Sequence, residues 1–203
     1  DEFTTANILA MSHVEGVPVE CLDESSEATR NRVATLMFGL MFRELFTFGL
    51  MQTDPNFANY RYNARTQQLV LLDFGATRYF EQSFGDKYRV MVEHGLARDR
   101  EGLNKAALHI SYYDDTVQDK HRNIILDIMD LACEPLRTGV YPFGQTDLAA
   151  RVRDSGMELS KGMDFWHAPP VDSIFLHRKV AGVFLLASRL KATVDVKALL
   201  DRA

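Results

Sequence analysis

Two aspartates and an asparagine lie where the chain could do phosphate chemistry. Asp54 and Asn59 are five residues apart in a turn-rich stretch, and Asp73 opens the sequence Asp73-Phe74-Gly75 after an apolar run. Mg²⁺ prefers oxygen ligands and takes only one or two from protein when phosphates supply others. The spacing therefore predicts that Asn59 and Asp73 hold Mg²⁺ and a phosphate chain, while Asp54 orients a hydroxyl or a water.

The same residues also have a purely structural interpretation. Asp and Asn are favoured in turns, because their side chains hydrogen-bond to nearby backbone. Each motif is weak when it stands alone. The order Asp-x4-Asn, hairpin, Asp-Phe-Gly nevertheless favours a functional site over three unrelated turns.

A long helix and a hairpin must position these side chains. Residues 25–50 have apolar side chains at helical spacing, with Ser25 or Ser26 as the N-cap and Gly49 at the C-terminal end. After them, "YRYN" and "QQLVLLDF" indicate two short strands, and the "NART" between them indicates a turn. The predicted buried face of the helix consists of Val33, Leu36, Met37, Leu40, Met41, Leu45 and Phe48.

Beyond residue 80 the pattern predicts helices throughout, separated by Gly, Pro or Asp. The predicted fold class is therefore mainly α with a small β-hairpin. We expect His177-Arg178-Lys179 to form a solvated helix face. We expect Trp166 to anchor a loop to the core or to face a partner.

Composition limits the classes of function. The chain has 203 residues and a net charge of −5, which argues against a general nucleic-acid binder. Two cysteines form neither a disulfide framework nor a zinc site, so a reducing compartment is expected. No apolar run reaches the ~20 residues of a membrane-spanning helix.

The finer spelling of these motifs resembles the ABC1/UbiB/ADCK atypical kinase family, and most closely its Coq8-like branch. The resemblance is carried by "RELFTFGLMQTDPNFANYRYN", "LVLLDFGATRYF" and "PPVDSIFLHRKVAGVFLLASRLKA", and it extends over nearly the whole chain. Many family members have Asp-Pro-His-Pro-Gly-Asn where residues 54–59 read "DPNFAN". That departure favours the Coq8-like branch.

The resemblance implies the C-lobe of the protein-kinase-like fold, with ATP and Mg²⁺ as cofactors. Asp54 matches the catalytic-loop aspartate, Asn59 and Asp73 match the metal ligands, and Phe74 and Gly75 complete the nucleotide-site motif. The segment "MSHVEG" matches the hinge that holds adenine. Over residues 1–203, this places the hinge and lobe start in 1–20, the catalytic loop and hairpin in 51–80, and a helical array in 81–203.

Several elements of the family are absent from the sequence. The Ala-rich nucleotide loop, the strand lysine with its glutamate partner and the Lys-x-Gly-Gln element do not precede Asp1. We therefore expect that the N-lobe is missing and that this chain alone is inactive or nearly so. The His-Arg-Asp and Ala-Pro-Glu motifs of ordinary protein kinases are also absent, which argues against protein substrates.

The resemblance further implies a kinase or ATPase that supports ubiquinone biosynthesis. Its expected partners are ATP or ADP, lipid intermediates of that synthesis and a biosynthetic protein complex, with peripheral membrane association and no nucleic acid. The expected location is the matrix side of the mitochondrial inner membrane, or the bacterial cytoplasm or cytoplasmic membrane surface.

Two alternatives remain open. A small-molecule phosphotransferase of the aminoglycoside or choline kinase type shares the Asp-x4-Asn loop, although its His-Gly-Asp is absent here. A non-catalytic, pseudokinase-like scaffold would instead bind partners through the helical array.

Overall fold

The computed structural model describes residues 3–161 and 169–203, so Trp166 lies outside the described residues. The helices in these ranges are α1 (Glu27–Arg43), α2 (Gln82–Leu96), α3 (Arg100–His109), α4 (Asp119–Ala132), α5 (Glu134–Arg137), α6 (Leu148–Lys161), α7 (Val171–Arg189) and α8 (Val196–Leu200). The strands are β1 (Val17–Pro18), β2 (Leu50–Gln52), β3 (Tyr60–Asn63), β4 (Gln68–Leu71), β5 (Thr77–Tyr79), β6 (Val140–Pro142) and β7 (Thr193–Asp195).

Helix α1 begins at an N-cap and packs against α7 and α8. The Ser26 hydroxyl accepts a hydrogen bond from the Thr29 backbone N–H at 3.3 Å, which satisfies one of the free donors of the first turn. One turn of π-helix, Glu44–Phe48, follows α1. The chain then leaves the helix at Gly49, whose φ of 61° is left-handed.

The π-turn changes which side chains face the core. A π-turn holds more residues than an α-turn, so the spacing of the preceding helix no longer applies. Leu45 stays buried, but Phe48 is 50% exposed, with the Arg43 guanidinium 4.8 Å from its ring centroid. The prediction that Phe48 belongs to the buried face is therefore wrong.

The predicted hairpin is present as β3 and β4. They pair antiparallel from Tyr60 opposite Leu71 to Asn63 opposite Gln68, and residues 64–67 form the turn between them. Strand β1 adds to the outer side of β3, with Val17 opposite Tyr62.

Two further sheets of two strands each were not predicted. Strands β2 and β5 pair antiparallel on either side of the hairpin. Strands β6 and β7 pair across more than fifty residues of sequence, with Tyr141 opposite Val194. The second pair shows that the chain is not helical throughout after residue 80.

The core is a single apolar cluster that runs from Val19 near the start of the chain to Leu200 near its end. Aromatic rings lie at its centre, where Phe38 of α1 is 5.2 Å from Phe143 and 5.5 Å from Phe184 between ring centroids. The prediction of a mainly α fold with a small β-hairpin is confirmed. Among the described helices, none combines the length and apolar character needed to cross a membrane.

Candidate nucleotide and metal site

The loop from Asp54 to Asn59 holds its own two ends together. The Asn59 side-chain amide donates a hydrogen bond from Nδ2 to Asp54 Oδ2 at 2.8 Å. The other carboxylate oxygen of Asp54 accepts from the Asn56 backbone N–H at 3.3 Å, and Asn56 Oδ1 accepts from the Ala58 N–H at 3.1 Å. The bond to Asp54 uses the amide nitrogen of Asn59 and not its amide oxygen.

The hairpin brings Asp73 to this loop. The Leu72 backbone N–H donates to the Asn59 carbonyl at 3.0 Å, which extends the β3–β4 pairing by one residue pair. Asp73 therefore follows directly after the residue that pairs with Asn59. Its Oδ1 accepts a hydrogen bond from the Gly75 N–H at 2.7 Å, and the residue is exposed to solvent.

The β2–β5 pair ties the entrance of the Asp54–Asn59 loop to the chain after Gly75. Gln52 lies opposite Thr77 in this sheet. The next residue, Thr53, donates twice to the Ala76 carbonyl, from its backbone N–H at 3.1 Å and from its hydroxyl at 2.8 Å. Asp54 and Asp73 are thus fixed relative to one another on both sides of the site.

The donor set fits Mg²⁺. Asn59 offers an amide oxygen and Asp73 an exposed carboxylate oxygen, which is the number of protein ligands that Mg²⁺ takes when phosphates bind it too. Within residues 3–161 and 169–203, no group of three or more His, Cys, Asp or Glu side chains could hold a metal by itself. A metal bound here would complete its coordination with oxygens from a ligand or from water.

The remaining residues of the predicted site lie at its edge. Phe74 is 60% exposed, and its carbonyl accepts from the Thr77 N–H at 3.1 Å in a tight turn. In the segment predicted as the hinge, residues 11–15 are exposed. Gly16 is fixed against β3, since its carbonyl accepts from Arg61 Nε at 2.8 Å.

A buried lysine, Lys179, contacts the chain on both sides of the Asp54–Asn59 loop. Lys179 of α7 is 1% exposed, and its Nζ donates to the Gln52 carbonyl at 2.8 Å and to the Tyr60 hydroxyl at 2.9 Å. The same Nζ lies 2.9 Å from a carboxylate oxygen of Glu44. Gln52 and Tyr60 flank the Asp54–Asn59 loop, so one ammonium group contacts the chain on both sides of it.

Burial dominates the electrostatics of this network. Burial raises the pKa of the Glu44 carboxyl, although the charge of Lys179 opposes the change. Burial also raises the pKa of the Tyr60 hydroxyl against the same opposing charge. The Tyr60 hydroxyl in turn donates a hydrogen bond to Gln52 Oε1 at 2.9 Å, so the Gln52 side chain belongs to the same network.

The expectation that His177-Arg178-Lys179 forms a solvated face is wrong for Lys179. Only Arg178 is exposed, and His177 is partly buried. The signal was available in the sequence: Lys179 follows Leu176 by three residues and precedes Val183 by four, so it shares their buried face. The charge run concealed that spacing.

Helix α7 contacts the site at two more places. A Cβ placed on Gly182 would lie 2.4 Å from Pro55 Cβ, so the helix and the loop touch where only a hydrogen fits. Near the start of α7, Asp172 accepts from Arg78 of β5 at 2.7 Å, and the Arg78 guanidinium lies 4.4 Å from the Phe175 ring centroid. One helix therefore contacts the chain both before and after the two aspartates.

Comparison with solved structures defines the class of fold. A structure of Rv3197 with erythromycin, from Mycobacterium tuberculosis, aligns with a TM-score of 0.67 over 92% of this chain and 46% of that chain, at 18% identity. The similarity is one of fold. A mainly helical fold with small antiparallel sheets is consistent with the predicted C-lobe of a kinase-like fold.

Comparison with known sequences identifies the family. The ABC1 atypical kinase-like domain matches residues 1–107, and the chain belongs to that family. The atypical kinase COQ8, mitochondrial, of Saccharomyces cerevisiae is 34% identical over 95% of this chain and 39% of its own length. COQ8B, mitochondrial, of Rattus norvegicus is 31% identical over 96% of this chain and 37% of its own length.

The Schizosaccharomyces pombe COQ8, mitochondrial, is 30% identical over 98% of this chain and 32% of its own length. The resemblance to the family and to its Coq8-like branch is thereby confirmed. The chain spans between 32% and 39% of the length of these three relatives.

Proposed function

We propose that this chain is the C-lobe of an atypical kinase or ATPase that binds Mg-ATP. The observation that supports the proposal is the joined geometry of the two motifs. Asn59 is hydrogen-bonded to Asp54 through its side chain and to the residue before Asp73 through its backbone. The first bond joins the side chains of two predicted site residues directly, and the second bond, part of the hairpin, brings the chain before Asp73 to the same loop.

Each residue has a distinct role in the proposal. Asn59 and Asp73 bind Mg²⁺ through the amide and carboxylate oxygens, and Gly75 orients the Asp73 carboxylate through its N–H. Asp54 accepts a hydrogen bond from the attacking hydroxyl or water and points it at the phosphate. Bound Mg²⁺ would neutralise charge that develops on the phosphate oxygens.

In this proposal, each region of the chain has its own part in the lobe. Residues 1–20 supply the hinge and the start of the lobe, residues 51–80 the loop, the hairpin and the Asp73-Phe74-Gly75 turn, and residues 81–203 the helical array. Phe74 and Gly75 border the nucleotide. An N-lobe of the family's type, outside this sequence, would complete the ATP site, and the chain alone would be inactive or nearly so.

The relatives indicate the biological setting. Those named COQ8 and COQ8B are called mitochondrial atypical kinases. We infer a role in ubiquinone biosynthesis, at the matrix side of the inner membrane in a eukaryote or at the cytoplasmic membrane in a bacterium. ATP turnover would be coupled to lipid intermediates or to a biosynthetic protein complex.

The decisive experiment uses Asp73→Asn in the full-length protein. We expect Mg²⁺-dependent nucleotide turnover to be lost, and Mg-ADP to stop raising the melting temperature, because a ligand that binds only the folded state stabilises it by mass action. Asp115→Asn is the matched control, since Asp115 is exposed and outside the site. It should behave like the wild type.

Turnover that survives Asp73→Asn would overturn the metal assignment. A full-length protein that shows neither turnover nor a Mg-ADP shift would favour the pseudokinase-like scaffold. Stoichiometric phosphorylation of one alcohol from a panel would favour the small-molecule phosphotransferase.

A further inference from the structure

A cavity of about 280 Å³ lies in the helical array, on the face of α7 opposite the Asp54–Asn59 loop. Lys179 and Gly182 face the loop. His177, Val180 and Phe184 line the cavity. Because a helix turns 100° per residue, these two sets lie on opposite sides of α7.

The packing of α6 leaves this space open. Leu148, Val152 and Leu159 are at helical spacing, yet Leu148 is the only fully buried residue among the described side chains of α6. Val152 and Leu159 line the cavity instead. Protein interiors are normally close-packed, and unfilled apolar space forfeits dispersion contacts. A retained space of this size is therefore more readily explained by an occupant than by folding alone.

The polar end of the cavity is a cluster of three side chains. The Tyr88 hydroxyl is 3.2 Å from His177 Nε2, and the Tyr112 hydroxyl is 3.4 Å from His177 Nδ1. All three line the cavity. A tyrosine hydroxyl can both donate and accept a hydrogen bond. Tyr88 also has a hydrogen bond with Ser173, whereas Tyr112 keeps capacity for a further partner.

The cavity is suited to a molecule without charge. The lining side chains, as far as the structure describes them, include no Asp, Glu, Lys or Arg. Burial lowers the pKa of His177 to about 4, and burial raises the pKa of Tyr112. The cluster is therefore neutral at physiological pH, and a charged ligand would lose its hydration with no opposite charge to replace it.

We propose that this cavity binds a neutral, apolar small molecule that places a single hydroxyl or carbonyl group against His177, Tyr88 and Tyr112. The space is about twice the ~150 Å³ that suffices for benzene in a dry cavity, so a ring with a short chain fits. The inference does not depend on nucleotide binding. Failure of one would leave the other unaffected.

The test uses three molecules with one skeleton and different ends: phenylbutanol, butylbenzene and phenylbutanoate. Binding is followed by NMR of ¹³C-methyl-labelled methionines, because Met41, Met91 and Met129 line the cavity. Met11 and Met157 are exposed and serve as internal controls. We expect phenylbutanol to shift the three cavity methyls and to raise the melting temperature, butylbenzene to bind more weakly, and phenylbutanoate to have no effect.

A matched pair of variants tests the polar end. Tyr112→Phe should weaken phenylbutanol binding between about twofold and tenfold, the equivalent of one hydrogen bond, and leave butylbenzene unchanged. Tyr79→Phe is the control, since Tyr79 is 65% exposed. Equal binding of all three molecules would overturn the polar part of the proposal. Unmoved cavity methyls with every molecule would overturn the cavity as a binding site.

Discussion

Lys179 and Glu44 are charged side chains that are almost completely removed from water. Such groups are rarely buried unless they are paired, because the loss of hydration costs several kcal/mol for each ion. Their attraction offsets this cost only when other hydrogen bonds are satisfied, and Lys179 makes two more, to Gln52 and Tyr60. We infer that the pair serves the geometry of the Asp54–Asn59 loop more than the overall stability.

Lys179→Met should lower the free energy of unfolding by about 3–5 kcal/mol, since it leaves the Glu44 carboxyl buried without its partner. Urea denaturation measures the change. Arg178→Met is the control, because Arg178 is exposed on the same helix and should change stability by less than about 0.5 kcal/mol.

The double variant Lys179→Met, Glu44→Leu separates stability from geometry. With no charge left unpaired, it should regain part of the lost stability. Nucleotide turnover should stay low, because the contact of Lys179 with the Gln52 carbonyl is still absent. A double variant with full turnover would show that Lys179 does not position the loop.

The sequence left open whether Ser25 or Ser26 is the N-cap of helix α1. The Ser26 hydroxyl accepts the hydrogen bond of the N-cap, whereas Ser25 contributes its backbone carbonyl to Arg30. Ser26→Ala should therefore cost about 1 kcal/mol of unfolding free energy. Ser25→Ala should cost almost nothing. Equal losses in thermal or urea denaturation would contradict the assignment.

Helix α7 approaches the Asp54–Asn59 loop through Gly182. A glycine in a helix is normally less favourable than alanine, so Gly→Ala stabilises by about 0.4–1 kcal/mol where space allows. A Cβ on Gly182 would instead meet Pro55 Cβ at 2.4 Å. We expect Gly182→Ala to destabilise by about 1–3 kcal/mol and to reduce nucleotide turnover, since Pro55 adjoins Asp54.

Gly156 of α6 offers the matched control for that experiment. A Cβ placed there would meet no described atom within 4 Å. Gly156→Ala should thus stabilise the protein. If both substitutions stabilised it, the close approach of α7 to Pro55 would not be a constraint on the loop.

The stability of the molecule should depend on pH through His177. Burial lowers its pKa from 6.5 to about 4 in the folded state, so the unfolded chain binds a proton at a pH where the folded chain does not. Neutral His177 makes its full contribution to the free energy of unfolding above pH 6.5. This contribution is lost as the pH falls towards 4. The total loss is roughly 3 kcal/mol.

Urea denaturation at pH 7.5 and pH 4.5 measures this dependence. Carboxylates contribute to it too, so the informative quantity is the difference between variants. His177→Gln should lose less stability than the wild type on acidification, while His13→Gln, at an exposed position, should follow the wild type. Identical pH profiles for all three proteins would contradict the burial of a neutral His177.

Helix α7 also contacts three separate parts of the molecule. It contacts β5 through Asp172, the cavity through His177 and the Asp54–Asn59 loop through Lys179. The C-terminal part of the chain therefore contacts the segment that carries the predicted site residues, between 54 and 75.

Much of this architecture could be predicted from sequence because it depends on local interactions. The apolar spacing of α1, the turn between β3 and β4, and the helical segments after residue 80 reflect contacts within a few residues of one another. The motif residues Asp54, Asn59 and Asp73 were found in the same way, by their order and spacing. Their assigned roles stay predictions.

The tertiary structure decided what depends on contacts between distant segments. Lys179 is 125 residues from Asp54 in the chain, and β6 and β7 are more than fifty residues apart, so no local pattern could specify either contact. The cavity behind α7 has the same origin, since its lining comes from several helices. Helical spacing predicts which side chains leave solvent, but the fit of several elements in space determines what they meet there.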